Sequence, residues 1–255
     1  MGVLIFNGKD VRVAARASFA HGLAFTRRTN YLRVMEQVNQ SFKNWKAQEV
    51  EKAFGIKRTK KSVLLDRWLD ARPSSTERQW DEVERLRQSA EDNVDAWNEA
   101  ALKFFFIGPL VSQVNFNTDG YSGFLEQTLV ISNETVSARG NVDFMVAAGR
   151  QIPEAPYYVL HEYKPETTTI LDPQGQLLIA MLSAQRANMD IQLTQPIYGT
   201  YVLGRFWFFV ILNGNEYTIS KAFDSTDKNG VESIFFALLQ VKVYIDALYE
   251  EVPQA

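Results

Sequence analysis

The chain has 255 residues, 46% hydrophobic and 22% charged, with a formal net charge of −3. That length supports a sizeable core without covalent staples. The absence of cysteine excludes disulfides, thiolate metal sites and cysteine nucleophiles. A slightly acidic whole is no electrostatic magnet for nucleic acid, although local basic patches stay open. No apolar run reaches the roughly 18 residues of a membrane span. No basic stretch precedes the first apolar run, Val3–Phe6, so a signal peptide is not expected and a cytoplasmic location is the default.

Val3–Phe6 reads as a short strand ended by the Asn7-Gly8 turn signal. Residues 31–53 read as a helix, with Leu32, Met35, Val38, Phe42, Trp45 and Val50 at helical spacing and Gly55 to end it. The basic run from Lys57 to Lys61 reads as a solvated loop, with contact to a phosphate backbone as the minority option. Val63–Leu69 is a short amphipathic helix that Pro73 breaks. A longer helix opens at Ser75-Thr76 and runs to Glu91, with Trp80, Val83 and Leu86 on one stripe. Val94–Phe106 continues as helix, Trp97, Ala101, Leu102 and Phe105 inward, until Gly108-Pro109 kinks or ends it.

From about Asn115 the apolar period changes to two. Gly123–Ser132 and Thr135–Ala147 form a hairpin around Asn133-Glu134, and Tyr157–Lys164 is the next strand. Asp172 as N-cap and Pro173 at the first helical position start a helix through Ala184. Strands at 197–203, 206–212 and 216–222 follow, the last two joined by Asn213-Gly214-Asn215. An amphipathic helix over 231–249 closes the pattern. The order predicts an α/β fold with one central mixed sheet flanked by helices. Residues 1–92 form a mainly helical region packed on a core of 93–255.

Two of these strands carry charge where the sheet should be buried. Val142-Asp143-Phe144 holds an acid, and His161-Glu162-Tyr163-Lys164 holds an acid and an amine two residues apart. Alternation puts Glu162 and Lys164 on one face, with Tyr158 and Leu160. Such groups are costly in a sheet unless they pair or hold a metal. Carboxylate oxygens of this kind suit Mg2+ or Mn2+. Lys164 could orient or deprotonate a water, or offset phosphate charge.

Asp143 followed by Glu162-Tyr163-Lys164 resembles the PD-(D/E)xK signature of the restriction-endonuclease-like nucleases. The surrounding segments resemble an uncharacterised bacterial group of that superfamily. These are Trp97-Asn98-Glu99, Phe106–Leu110, Gly140–Asp143, His161–Glu166, Asp172–Leu177 and Pro196–Gly199, spread over residues 40–250. The resemblance implies a restriction-endonuclease-like sheet and a Mg2+-dependent (or Mn2+-dependent) nuclease acting on nucleic acid, DNA first. It implies Asp143 and Glu162 as metal ligands and Lys164 as the catalytic amine. Glu99, from the helix before the hairpin, is the candidate third acid. Gln176 is the candidate polar residue on the following helix, with Gln174 as alternate and Gln185 two turns on. Many proteins of that fold pair up, so a homodimer is a further expectation. One departure is that Val142, not proline, precedes Asp143.

Simpler readings stand beside these. Glu99 could be an exposed helix residue paired with Lys103 at i+4, and Asp143 could pair with Lys164. His161 should face away from Glu162 and pack, as should Tyr163. Glu166 reads as a loop residue, His21 has no recognisable partner, and Phe206-Trp207-Phe208-Phe209 reads as core rather than a base-stacking platform. The competing functions are a nuclease-like fold kept as a binding or assembly module, and a structural protein with an internal ion pair.

Overall fold

The computed structural model describes residues 38–166 and 172–251. The expected strand Val3–Phe6, residues 31–37 of the expected first helix, and His21 lie outside them. The described residues form an α/β fold around one mixed sheet of nine strands flanked by helices. The strands are β1 (Val38–Ser41), β2 (Lys57–Thr59), β3 (Tyr121–Ser132), β4 (Val136–Ala148), β5 (Glu154–Lys164), β6 (Ile197–Leu203), β7 (Phe206–Asn213), β8 (Glu216–Ile219) and β9 (Phe223–Asp224). The path across the sheet is β1-β4-β5-β6-β7-β8-β2, with β3 paired to β4 and β9 to β7. β4 runs antiparallel to β3 and β5, whereas β5 and β6 are parallel. The β5–β6 crossover is helix α6 (Pro173–Asp190), as a parallel connection requires.

Each face of the sheet is covered. α1 (Ala47–Phe54) and α6 lie over one face, where Leu160, Leu177, Met181 and Val210 are buried. The opposite face packs against α2 (Val63–Asp70), α3 (Glu77–Asn93), α4 (Glu99–Leu102), α5 (Gly108–Ser112) and α7 (Lys228–Glu251). Trp68, Leu86, Phe106 and Phe235 are fully buried there. α6 is apolar nearly all round and buried along most of its length, so its sequence shows no one-sided stripe. Among the described residues, no helix is long and apolar enough to cross a membrane.

Most elements lie where the periodicity puts them. α3 is capped by Thr76, which accepts from Gln79 N while Gln79 bonds back to Thr76 N. The β3–β4 hairpin is tied by Asn133, whose side chain accepts from Thr135 N and Val136 N. Asp172 caps α6 through Gly175 N.

Several expectations are corrected. The helix expected to continue over Val94–Phe106 breaks at residues 94–98 and restarts at Glu99 behind the Asn98 cap. The helix expected over 31–53 is instead β1, a 3-10 turn over Phe42–Asn44 and the short α1. Phe42 and Trp45 are both buried because residues i and i+3 share a side of a 3-10 turn, which imitates helical spacing. The basic run is solvated as expected, but it is a loop only at Lys60 and Lys61. Lys57–Thr59 is the edge strand β2, parallel to β8, with Lys57 and Arg58 pointing to water as edge strands favour. Gly108-Pro109, expected to kink or end its helix, does not end it. Pro109 lacks an N–H, and the chain absorbs this with a π turn over Lys103–Ile107, where Gly108 N reaches back to Lys103 O. That turn leaves Phe105 53% exposed and buries Phe106 instead. Tyr158 packs on the face opposite Leu160, since the β4–β5 register shifts between Val146 and Ala148.

Candidate functional site

The site lies at a fork in the sheet. On one edge of β4, residues 136–139 pair with β1 and residues 144–148 pair with β5. Gly140–Asp143 fall between the two ladders. The strands part there, and a cleft of about 620 Å³ opens. Phe42, just after β1, crosses over Gly140 so closely that no Cβ would fit. That crossing fixes the fork.

All five residues singled out in the sequence line this cleft: Asp143, Glu162, Lys164, Gln176 and Glu99. Continuing the Phe144–His161 register by one pair sets Asp143 opposite Glu162. Asp143 Oδ2 accepts from Tyr163 N at 2.6 Å, taking a backbone donor left over where the ladder ends. Lys164 Nζ donates to Glu162 Oε1 and to Tyr163 O, the latter at 2.8 Å. Glu99 is the first residue of α4, placed by the Asn98 cap on Ala101 N. It pairs with Lys103 at 2.8 Å and also reaches Lys164 at 3.6 Å. The expected i,i+4 pairing of Glu99 with Lys103 is therefore present, and Glu99 lines the cleft as well. Gln176 sits on the first turn of α6, 4% exposed, and its Oε1 has no hydrogen-bond partner.

Gln174 and Gln185 do not line the cleft. Glu166 pairs with Arg205 at 3.1 Å, away from it. His161 and Tyr163 point to the other face, where His161 Nδ1 and the Tyr163 hydroxyl are 2.7 Å apart. Burial pulls the His161 imidazole down to about 3, so the ring is neutral. Trp207 and Phe209 are fully buried, and Phe208 stacks on Tyr201 on the opposite face. This aromatic run is core.

Two residues of the site were not singled out for it from the sequence. Lys103 was weighed only as a partner for Glu99. Its Nζ in fact lies 2.7 Å from Asp143 Oδ1 and 3.1 Å from Glu126 Oε1 as well. Glu126 is held inside β3 with φ +52°, a conformation uncommon for a residue with a side chain. The i,i+4 spacing of Glu99 and Lys103 pointed to a shared helix side. Nothing in sequence separates Glu126 from any other polar strand residue.

The electrostatics follow from four acids and two amines packed together. Burial and the charge of Asp143 raise the Glu162 carboxyl above the usual carboxylate range, against the pull of Lys164. Burial also raises Asp143, and Lys103 only partly offsets it. Burial opposes the charge on Lys103, yet its hydrogen bonds to Asp143 and Glu99 hold it above the ordinary lysine range. Burial opposes the charge on Lys164 too, but the charge and hydrogen bond of Glu162, together with the charges of Asp143 and Glu99, raise it overall. Both amines are therefore ammonium ions at neutral pH. Burial raises the Glu99 carboxyl, and the two lysines more than reverse that.

Among the described residues, no group of three or more His, Cys, Asp or Glu side chains is set to hold a metal ion. The reason is visible in the contacts, since Lys103 and Lys164 stand between the acids. The same contacts test whether a cation suits the place. One ammonium is already held by Glu99, Asp143 and Glu126, and the orphaned Gln176 oxygen lines the same cleft. The donor set is hard oxygen throughout, as Mg2+ or Mn2+ prefers. The cleft's lining also includes Lys43 and Arg139, both exposed and without an acidic partner among the described residues. Compared with known protein families and with curated proteins, the chain matches none.

Proposed function

We propose that this chain is a divalent-metal-dependent nuclease with a restriction-endonuclease-like fold, hydrolysing phosphodiester bonds of nucleic acid, DNA first. The observation that carries this reading is the convergence of Asp143, Glu162, Lys164, Gln176 and Glu99 in one cleft, from two strands and two helices. The fold class, a mixed sheet covered on both faces, supports it.

Asp143, Glu162 and Glu99 are the residues to hold the ion. Bound there, Mg2+ or Mn2+ would lower the pKa of a water and offset charge building on the phosphate. Lys164 would orient or deprotonate the water, or offset negative charge on the phosphate. Gln176 Oε1 offers an acceptor for the same water. Lys43 and Arg139 offer two charges to the flanking phosphates.

The test is incubation of the protein with single- and double-stranded DNA and RNA, in Mg2+, Mn2+ or chelator. Metal-dependent cleavage lost in Lys164→Ala supports the reading. No cleavage of any substrate in either metal rejects it. One observation favours a second reading, a nuclease-fold module that binds without turnover: the Lys103 ammonium already occupies the space between three of the acids. Tight nucleic-acid binding with no cleavage is its signature.

A further inference from the structure

A second cleft, of about 670 Å³, adjoins the first and shares Lys103, Glu126 and Asp143 with it. Its character is different. Its wall is mostly apolar, including Phe104, Leu125 and Phe144. Phe104 is 74% exposed and Leu125 68%, beside a charge cluster that is itself only partly buried. The π turn is the cause of the first: it rolls Phe104 outward while Phe106 stays in the core. Exposed Asn115 and Asn117 add hydrogen-bonding groups to the lining.

Resting on the nuclease reading, we infer that this cleft is a nucleobase subsite and that the substrate is a single strand. A phosphodiester seated against the acids and lysines has its neighbouring base within reach of a cleft that opens from the same residues. A volume of this size suits a ligand of nucleoside dimensions. The exposed ring of Phe104 offers a stacking face, and side-chain amides offer edge contacts. In a duplex both faces of each base are already stacked, so only an unpaired or displaced nucleotide can use such a wall. Continuity with the charged cleft distinguishes this occupant from an apolar peptide, which has no use for the adjoining phosphate-binding lysines.

The experiment is binding of a single-stranded DNA oligomer carrying one 2-aminopurine, in EDTA at low salt, beside the fully paired duplex of the same sequence. The expected result is quenching of the probe on the single strand, and loss of quenching with affinity about ten-fold or more weaker in Phe104→Ala. Duplex binding should be weaker and indifferent to the substitution. Phe104 is exposed, so the variant should keep the wild-type melting temperature. Equal affinity for duplex and single strand overturns the inference. So does an unchanged single-strand affinity in the variant, or self-association in sedimentation that Phe104→Ala abolishes, which assigns the face to a second copy of the chain. Phe104-dependent binding without cleavage in metal keeps the subsite and removes the hydrolase. Cleavage indifferent to Phe104 does the reverse.

Discussion

The Lys103 ammonium lies 2.7 Å from Asp143 Oδ1, and it holds the place among the acids that a divalent ion would contest. Its other contacts, Glu99 at 2.8 Å and Glu126 at 3.1 Å, make it the main internal counter-charge of the cleft. A charge-assisted hydrogen bond is worth about 1.5–3 kcal/mol. Removing this competitor should therefore tighten metal binding. In calorimetric titration with Mn2+, Lys103→Met should bind about ten-fold or more tightly than the wild type. Equal affinities would show that the ion and the ammonium do not share a place.

Glu162 and Lys164 are a buried pair, 1% and 4% exposed. Such a pair adds little to stability as a whole, but breaking it strands a charge. Lys164→Met should lower the unfolding free energy by about 3 kcal/mol in urea titration at neutral pH. The double variant Glu162→Gln with Lys164→Met should recover much of that loss. Additive costs would mean that the two side chains do not depend on each other.

Gln176 behaves oppositely. Its Oε1 makes no hydrogen bond within the fold, so Gln176→Leu removes a buried orphan and no structural partner. The melting temperature should hold or rise, while cleavage falls by about ten-fold or more, in line with the loss of one positioned hydrogen bond. A clear drop in melting temperature would point to a structural role.

Gly140 is placed for shape. A methyl group there meets Phe42 where it crosses the fork. Gly140→Ala should cost about 1–3 kcal/mol of stability, the usual penalty of overpacking. It should also detach β1 from β4, read as faster amide exchange at the ladder residues 136–139. Unchanged exchange would show that the crossing is loose.

Much of the site was legible because its residues break a rule of composition. Asp143, Glu162 and Lys164 are charges inside apolar strand patterns, and alternation alone places Glu162 and Lys164 together. Asp172 announces the helix start that delivers Gln176. Asn98, by contrast, falls inside an apolar pattern that reads as continuous helix, and its capping of the helix that begins at Glu99 is visible only in the fold. Lys103 and Glu126 carry no such signal. Polar residues on an amphipathic helix and on a half-exposed strand are ordinary, and only their meeting makes them part of the cleft.

The α/β class, the order of its elements and the identity of the charged strand residues follow from local pattern: period, caps and turn residues act over a few positions. The parting of β1 and β5 along one edge of β4 belongs to the folded chain alone, as do the π turn that exposes Phe104 and the gathering of three acids around one ammonium. Each depends on contacts between residues distant in sequence, and no local periodicity encodes such contacts.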